Sequence, residues 1–127
     1  MADRKRLRII IAEDSEVVRN LLMALLSRID RVEIIGVAPD GEVALQLIRG
    51  LKPDVVILDI GMPHKSGLEV LREVRKDDDE TPPVVIVFTN DVAYRDECLV
   101  SGANFFLDKV TEFKLLVDIL ENQLLAD

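Results

Sequence analysis

The sequence predicts a doubly wound α/β fold: five parallel strands in the order 2-1-3-4-5, with five helices divided between the two faces of the sheet. Three observations lead there. Short apolar, β-branched runs alternate with longer segments of helical period. The loops between them are short, so each right-handed crossover returns its helix onto the sheet and both faces become covered. Runs one, three and four (Ile9-Ile10-Ile11, Val55-Val56-Ile57-Leu58, Val84-Val85-Ile86-Val87-Phe88) are apolar on both faces, as central strands must be, whereas run two holds Glu33 and run five holds Asn104 and Asp108. Two and five are therefore the edges.

The elements follow in order. Leu7 to Ala12 is the first strand, and Val17, Val18, Leu21, Leu22, Leu25, Leu26 and Ile29 then form one apolar helix stripe. Val32 to Ala38 is the second strand. Pro39-Asp40-Gly41 turns the chain, Asp40 caps a helix running to about Arg49, and Gly50 and Pro53 end it. Val55 to Asp59 is the third strand. After a loop with Met62-Pro63, Gly67 to about Lys76 is a helix with Leu68, Leu71 and Val74 inward. The acidic run Asp77-Asp78-Asp79-Glu80 before Thr81-Pro82-Pro83 reads as a solvated loop. Val84 to Thr89 is the fourth strand, and Val92 to about Ser101 is the least amphipathic helix. Gly102 stops it before the strand Asn104 to Asp108 and a last helix begun by Thr111.

With 127 residues the chain forms a single domain, 1–127, large enough to bury its own core without a disulfide or metal staple. A net charge of -8 argues against nucleic acid as a direct ligand. The apolar run after Met1-Ala2-Asp3-Arg4-Lys5-Arg6 is too short for a signal or membrane helix, and the one cysteine, Cys98, reads as a packing residue. No membrane role is implied, and a reducing, cytoplasmic location is the expectation.

The predicted topology puts a ligand site outside the carboxyl ends of the strands, at the switch point between strands one and three. Reading those ends gives Glu13 and Asp14, Asp59, Thr89 and Lys109. Three carboxylates side by side repel, so the arrangement suits a hard cation between them, and Mg²⁺ fits an all-oxygen set that a phosphate oxygen completes. Taken singly, each residue has a plainer reading: the acidic pair as helix N-terminal charge, Thr89 as a cap, Lys109 as a surface lysine. Their joint spacing rejects that. His64, with no second histidine or thiolate near it in sequence, reads as a loop residue.

Glu13-Asp14, Asp59-Ile60-Gly61-Met62-Pro63 with Gly67, then Thr89, then Lys109 closely resemble the receiver domains of two-component response regulators, over essentially the whole chain. The resemblance implies a flavodoxin-like fold and a phosphorelay role. Asp59 would be the nucleophile that takes a phosphoryl group from a phosphohistidine of a histidine kinase or phosphotransfer protein, becoming an aspartyl phosphate. It implies Mg²⁺ on Asp14, Asp59 and the Gly61 backbone carbonyl, Glu13 holding a water of the ion, and Lys109 and the Thr89 hydroxyl on phosphoryl oxygens. Phe106 matches the aromatic position that turns inward on activation while Thr89 moves toward the phosphoryl group. The fourth helix, fifth strand and fifth helix would then be the output face, for an unknown partner or a covalently linked output domain. On this reading the chain is a phosphoacceptor, not a turnover enzyme, and is a stand-alone receiver or a piece of a larger regulator.

Two positions depart from the family pattern. Val110 follows Lys109 where proline is usual, so a trans bond is expected there, and Asn90 with Asp91 follows Thr89 where a small residue is common. Other readings are a small Mg²⁺-dependent phosphatase working through an aspartyl phosphate, which wants a second acid where Gly61 stands, and a receiver-like binding module that is never phosphorylated. A flavin carrier of the same topology would need a hydroxyl- and glycine-rich loop where Ala12-Glu13-Asp14-Ser15 is acidic.

Overall fold

The computed structural model describes residues 6–125; the basic segment ahead of Arg6 lies outside them. Five parallel strands, β1 (Leu7–Ala12), β2 (Val32–Ala38), β3 (Val55–Leu58), β4 (Val84–Thr89) and β5 (Phe105–Asp108), form one sheet in the order β2-β1-β3-β4-β5. The helices are α1 (Glu16–Leu26), α2 (Gly41–Leu51), α3 (Gly67–Lys76), α4 (Arg95–Val100) and α5 (Phe113–Ile119). Alternation along the central strands feeds two cores. Ile10, Val56, Val85 and Val87 pack under α2, α3 and α4, while Ile9, Ile11, Ile57, Ile86 and Phe88 pack under α1 and α5. Among the described residues no helix is long and apolar enough to cross a membrane.

Local chemistry explains the helix starts. Ser15 and Asp40 accept the backbone N–H of Val18 (3.3 Å) and Val43 (2.9 Å), and Ser66 with Glu69 forms a reciprocal capping box. The apolar stripe of α1 is wider than its buried face: Leu22 and Leu26 are buried, with Ile29 just beyond the helix, whereas Val17 and Leu21 stay exposed, because α1 covers the sheet with one side only.

Several boundaries differ from expectation. The second helix runs through Gly50 and ends on Lys52, which takes a left-handed conformation (φ 51°), and Arg8 satisfies the terminal carbonyls by donating to Leu51 O (2.8 Å) and Lys52 O (2.7 Å). The segment after β4 is not one long helix but a 3-10 turn, Val92–Tyr94, followed by the six residues of α4. Gly102 ends it at φ 110°, as its position suggests. Asn104 stands just before β5, where its side-chain oxygen accepts from Val85 N (2.8 Å) and Arg75 Nη2 (2.8 Å). The last helix begins at Phe113 instead of Thr111 and widens into a π-helical segment over Leu120–Leu124. The acidic run is also more than solvated loop: Arg49 grips Asp77 (3.0 and 3.1 Å), Lys52 pairs with Asp79 (3.0 Å), and together they tie α2 to the end of α3. The Arg49 hydrogen bond holds the Asp77 carboxyl below its ordinary pKa.

Gly67 opens α3 directly against the end of β3. A Cβ built there would overlap the Asp59 carbonyl oxygen and lie 2.8 Å from its carbon. Gly67→Ala is therefore expected to cost about 2 kcal/mol or more, by forced displacement of packed backbone, and to move the Asp59 loop. Urea denaturation measures the loss; an unchanged midpoint would show that the loop yields freely.

Candidate functional site

Strands β1 and β3 each stop one residue short of the chemistry. Asp59 is the first residue past β3, yet its N–H still bonds to Ala12 O (3.0 Å), so the backbone aims from a fixed point; Glu13 N bonds likewise to Ala38 O (3.0 Å) at the end of β1. Parallel pairing of β1 with β3 sets Ala12 beside Leu58 and thereby brings the two acidic loops together. The carboxylates of Glu13, Asp14 and Asp59 offer oxygens that all lie within 4.8 Å of one another. Glu13 and Asp59 are buried, at 1% and 6% exposure, and Asp14 is exposed.

Lys109 arrives from the end of β5. Its Nζ donates to Asp59 Oδ2 and to Glu13 Oε1, both at 3.0 Å. Burial would lower the lysine's pKa, but these two hydrogen bonds outweigh it and hold the ammonium above its ordinary value. Glu13 moves up: burial, reinforced by the Asp59 charge, outweighs the hydrogen bonds from Ser15 N and Lys109. The donor set is all oxygen, and three carboxylates against one ammonium leave net negative charge, which suits a hard divalent cation. No cysteine or histidine belongs to the group.

The remaining predicted residues fall around this centre. Thr89 is fully buried at the end of β4, but its hydroxyl faces its own loop, accepting from Asp91 N (3.2 Å). Gly61 is exposed two residues past Asp59, and a Cβ on it would meet Asp91 Oδ2 at 3.4 Å, so the Asp91 carboxylate overhangs this position. Phe106 is 5% exposed, its ring inward. His64 lies in an exposed loop at φ 68°, apart from the acidic group. The peptide between Lys109 and Val110 is trans, as the missing proline predicts.

Two contributors escape the sequence reading. Arg19 donates through Nη1 to the carbonyls of both Glu13 and Asp14, at 2.9 Å each, and so clamps the acidic loop from the first turn of α1; an arginine five residues beyond an acidic pair, at a helix start, is the only signal of it. Arg95 stands over Phe106, with Cζ 5.8 Å from the ring centroid, and nothing in the sequence pattern relates two residues eleven apart on different elements.

Known proteins share this fold. The response regulator domain of Thermotoga maritima CheB superposes with a TM-score of 0.82 at 28% identity, covering 92% of each chain. A DNA-binding response regulator of the LuxR family from Staphylococcus aureus gives 0.81 at 33% identity, over 90% of this chain and 95% of that one. Among curated relatives, the protein-glutamate methylesterase/protein-glutamine glutaminase of Trichodesmium erythraeum is 37% identical over 82% of this chain, and the transcriptional regulatory protein YdfI of Bacillus subtilis 32% over 90%. The matched stretch is only 30% and 53% of those two proteins. The family model for the response regulator receiver domain matches residues 9–121, a span that takes in every strand end described above. The chain belongs to the family of response regulator receiver domains, whose members are typically phosphorylated on an aspartate.

Proposed function

We propose that Asp59 is the phosphoacceptor, that the donor is the phosphohistidine of a histidine kinase or phosphotransfer protein, and that the aspartyl phosphate changes the α4–β5–α5 face for a partner or a linked output domain. The observation that carries this is the single ammonium of Lys109 shared between Asp59 and Glu13 at 3.0 Å, beside a third carboxylate. In transfer, an Asp59 carboxylate oxygen attacks phosphorus as the P–N bond breaks, and the electron pair stays on the imidazole nitrogen, which takes up a proton. The loose transition state needs placement and charge neutralisation more than acid-base work.

Mg²⁺ is the cation we assign, held by Asp14, Asp59 and the Gly61 carbonyl with Glu13 behind them. Bound there, it would offset the charge that an incoming phosphoryl group brings among carboxylates. The chain supplies the rest. Lys109 is already at the acceptor and needs only to pass from Asp59 to a phosphoryl oxygen. The Thr89 hydroxyl accepts from Asp91 N and keeps its O–H to donate to one, so a turn of the side chain toward it pulls on the loop leading into α4. Val17, Leu21 and Val110 are exposed close in sequence to Asp14 and Lys109, and offer apolar contact to an approaching donor. A cytoplasmic location accompanies such a donor. The relatives' methylesterase and transcriptional roles show that one receiver architecture serves different outputs; for this chain the reading is a regulated binding surface and no turnover of external substrate.

The test is incubation with Mg²⁺ and a small phosphodonor, followed by mapping of the added mass: one phosphoryl group on Asp59, none in chelator. Modification at another residue, or without metal, would overturn the assignment.

Metal alone should also leave a mark. Because Mg²⁺ binds the native site and not the unfolded chain, it is expected to stabilise the fold by mass action, by about 2.7 kcal/mol at a hundred times the dissociation constant, and so to raise the melting temperature; Asp14→Ala should lose most of this. The raised pKa of Glu13 fixes the pH trend. Without metal, its protonated form favours the folded chain, and that contribution disappears as pH climbs from the ordinary value of 4.5 through the raised one. The metal needs the carboxylate, so its stabilising effect grows over the same interval. Melting curves with and without Mg²⁺ across that range measure both; a flat metal effect would exclude Glu13 from the site.

A further inference from the structure

Phe106 lies inward while the Thr89 hydroxyl is engaged by its own loop, and the neighbours of the ring give the reason. The ring belongs to the core with Cys98, Ala103 and Val87. The segment above it is thinly attached: of residues 92–100 only Cys98 is buried, and α4 is six residues long. At its first position Arg95 places its guanidinium carbon 5.8 Å from the centre of the ring and donates through Nη1 to the Phe106 carbonyl at 3.3 Å. One side chain thus grips ring and backbone of the same residue. The other end of α4 is held from α3, where Arg72 pairs with Glu97 (3.0 Å) and reaches the Ser101 hydroxyl (3.3 Å). Meanwhile the Thr89 hydroxyl stays on Asp91 N. Ring and hydroxyl are therefore not in step: the ring is in, while the hydroxyl faces its own loop.

We propose that Arg95 is the positioning residue of this output face, holding Phe106 inward while the Thr89 hydroxyl faces its own loop, so that the ring's place is set from α4 and not by Thr89 alone. The meaning of the ring as a switch rests on the phosphoacceptor reading above; the holding itself does not. A cation over an aromatic face at an exposed site biases a two-state ring by about two- to five-fold, enough to tune a population without locking it. With the guanidinium gone the ring swings out more often, and because Cys98 packs in the same cluster, each excursion opens a way to its thiol.

Cys98 is the chain's one cysteine, so its labelling rate by a thiol reagent reads this opening directly. In the full chain, Arg95→Ala should label about two- to five-fold faster than the parent. Arg95→Lys should fall between the two, keeping a cation over the ring but losing the fork that also reaches the carbonyl. In a Phe106→Leu background Arg95→Ala should add much less, since the ring is already absent and only the hydrogen bond to the backbone carbonyl is left to lose. The rate should depend only weakly on urea, as local opening exposes little surface. An unchanged rate in Arg95→Ala, an acceleration undiminished in Phe106→Leu, or the steep urea dependence of global unfolding would each overturn the proposal. Amide shifts on adding Mg²⁺ and beryllofluoride, a phosphoryl mimic, keep the two readings apart. If the mimic fails to bind at Asp59 the phosphoacceptor reading fails while the labelling result stands; if it binds, Arg95→Ala should show larger shifts around Phe106 than the parent.

Discussion

Asp59→Asn is expected to accept no phosphoryl group from any donor, and at the same time to be at least as stable as the parent in metal-free buffer. The first half is chemistry: an amide lacks the carboxylate that forms the acyl phosphate. The second half comes from the geometry. Glu13 and Asp59 are buried and share one ammonium, with Asp14 beside them, so removing one negative charge relieves repulsion while the amide oxygen can still accept from Lys109. A gain of about 1 kcal/mol is the size usual for relaxing a strained functional site. Added Mg²⁺ should stabilise the variant less than the parent, since a ligand is lost. Mass mapping and paired melting curves measure all three quantities. A variant that still takes the phosphoryl group on Asp14 or Glu13 would sink the assignment of the nucleophile. One that is clearly less stable without metal would show that the Lys109 bridge matters more than the repulsion.

The parts of this site that were legible in advance are those fixed by strand ends. Asp59, Thr89 and Lys109 follow from where apolar runs stop, and the parallel order then brings them together, because a buried strand has only one place to put its first polar residue. What escaped depends on side-chain direction. The hydroxyl of Thr89 turned to Asp91 N, the guanidinium of Arg19 reaching two carbonyls of the acidic loop, and Arg95 lying over Phe106 are each selected by packing among alternatives that periodicity does not distinguish. Helix ends escaped for a related reason. Gly50 looks like the terminator of α2, but Arg8, more than forty residues earlier in the chain, satisfies the carbonyls one and two residues farther on and lets the helix continue.

Lys109→Ala should produce the other large effect, and in two opposite directions. Without metal it leaves two buried carboxylates facing each other unpaired, and breaking a buried ion pair from one side costs about 3 kcal/mol. With Mg²⁺ most of that loss should return, and the metal should bind more tightly than in the parent, because a dication no longer competes with the ammonium for the same oxygens. The signal, however, should stop. Lys109 N bonds to Thr89 O (3.1 Å) and Lys109 directly follows the strand that carries Phe106, so its side chain is the direct tie between Asp59 and β5. In the parent, amide shifts induced by a phosphoryl mimic are expected to spread from Asp59 through Thr89 into residues 92–113; in the variant they should stay in the acidic loops. Equal spreading in both chains would leave Thr89 as sole carrier, acting through the Asp91 loop into α4. A variant as stable as the parent without metal would mean that the Lys109 bridge offsets no repulsion between Asp59 and Glu13.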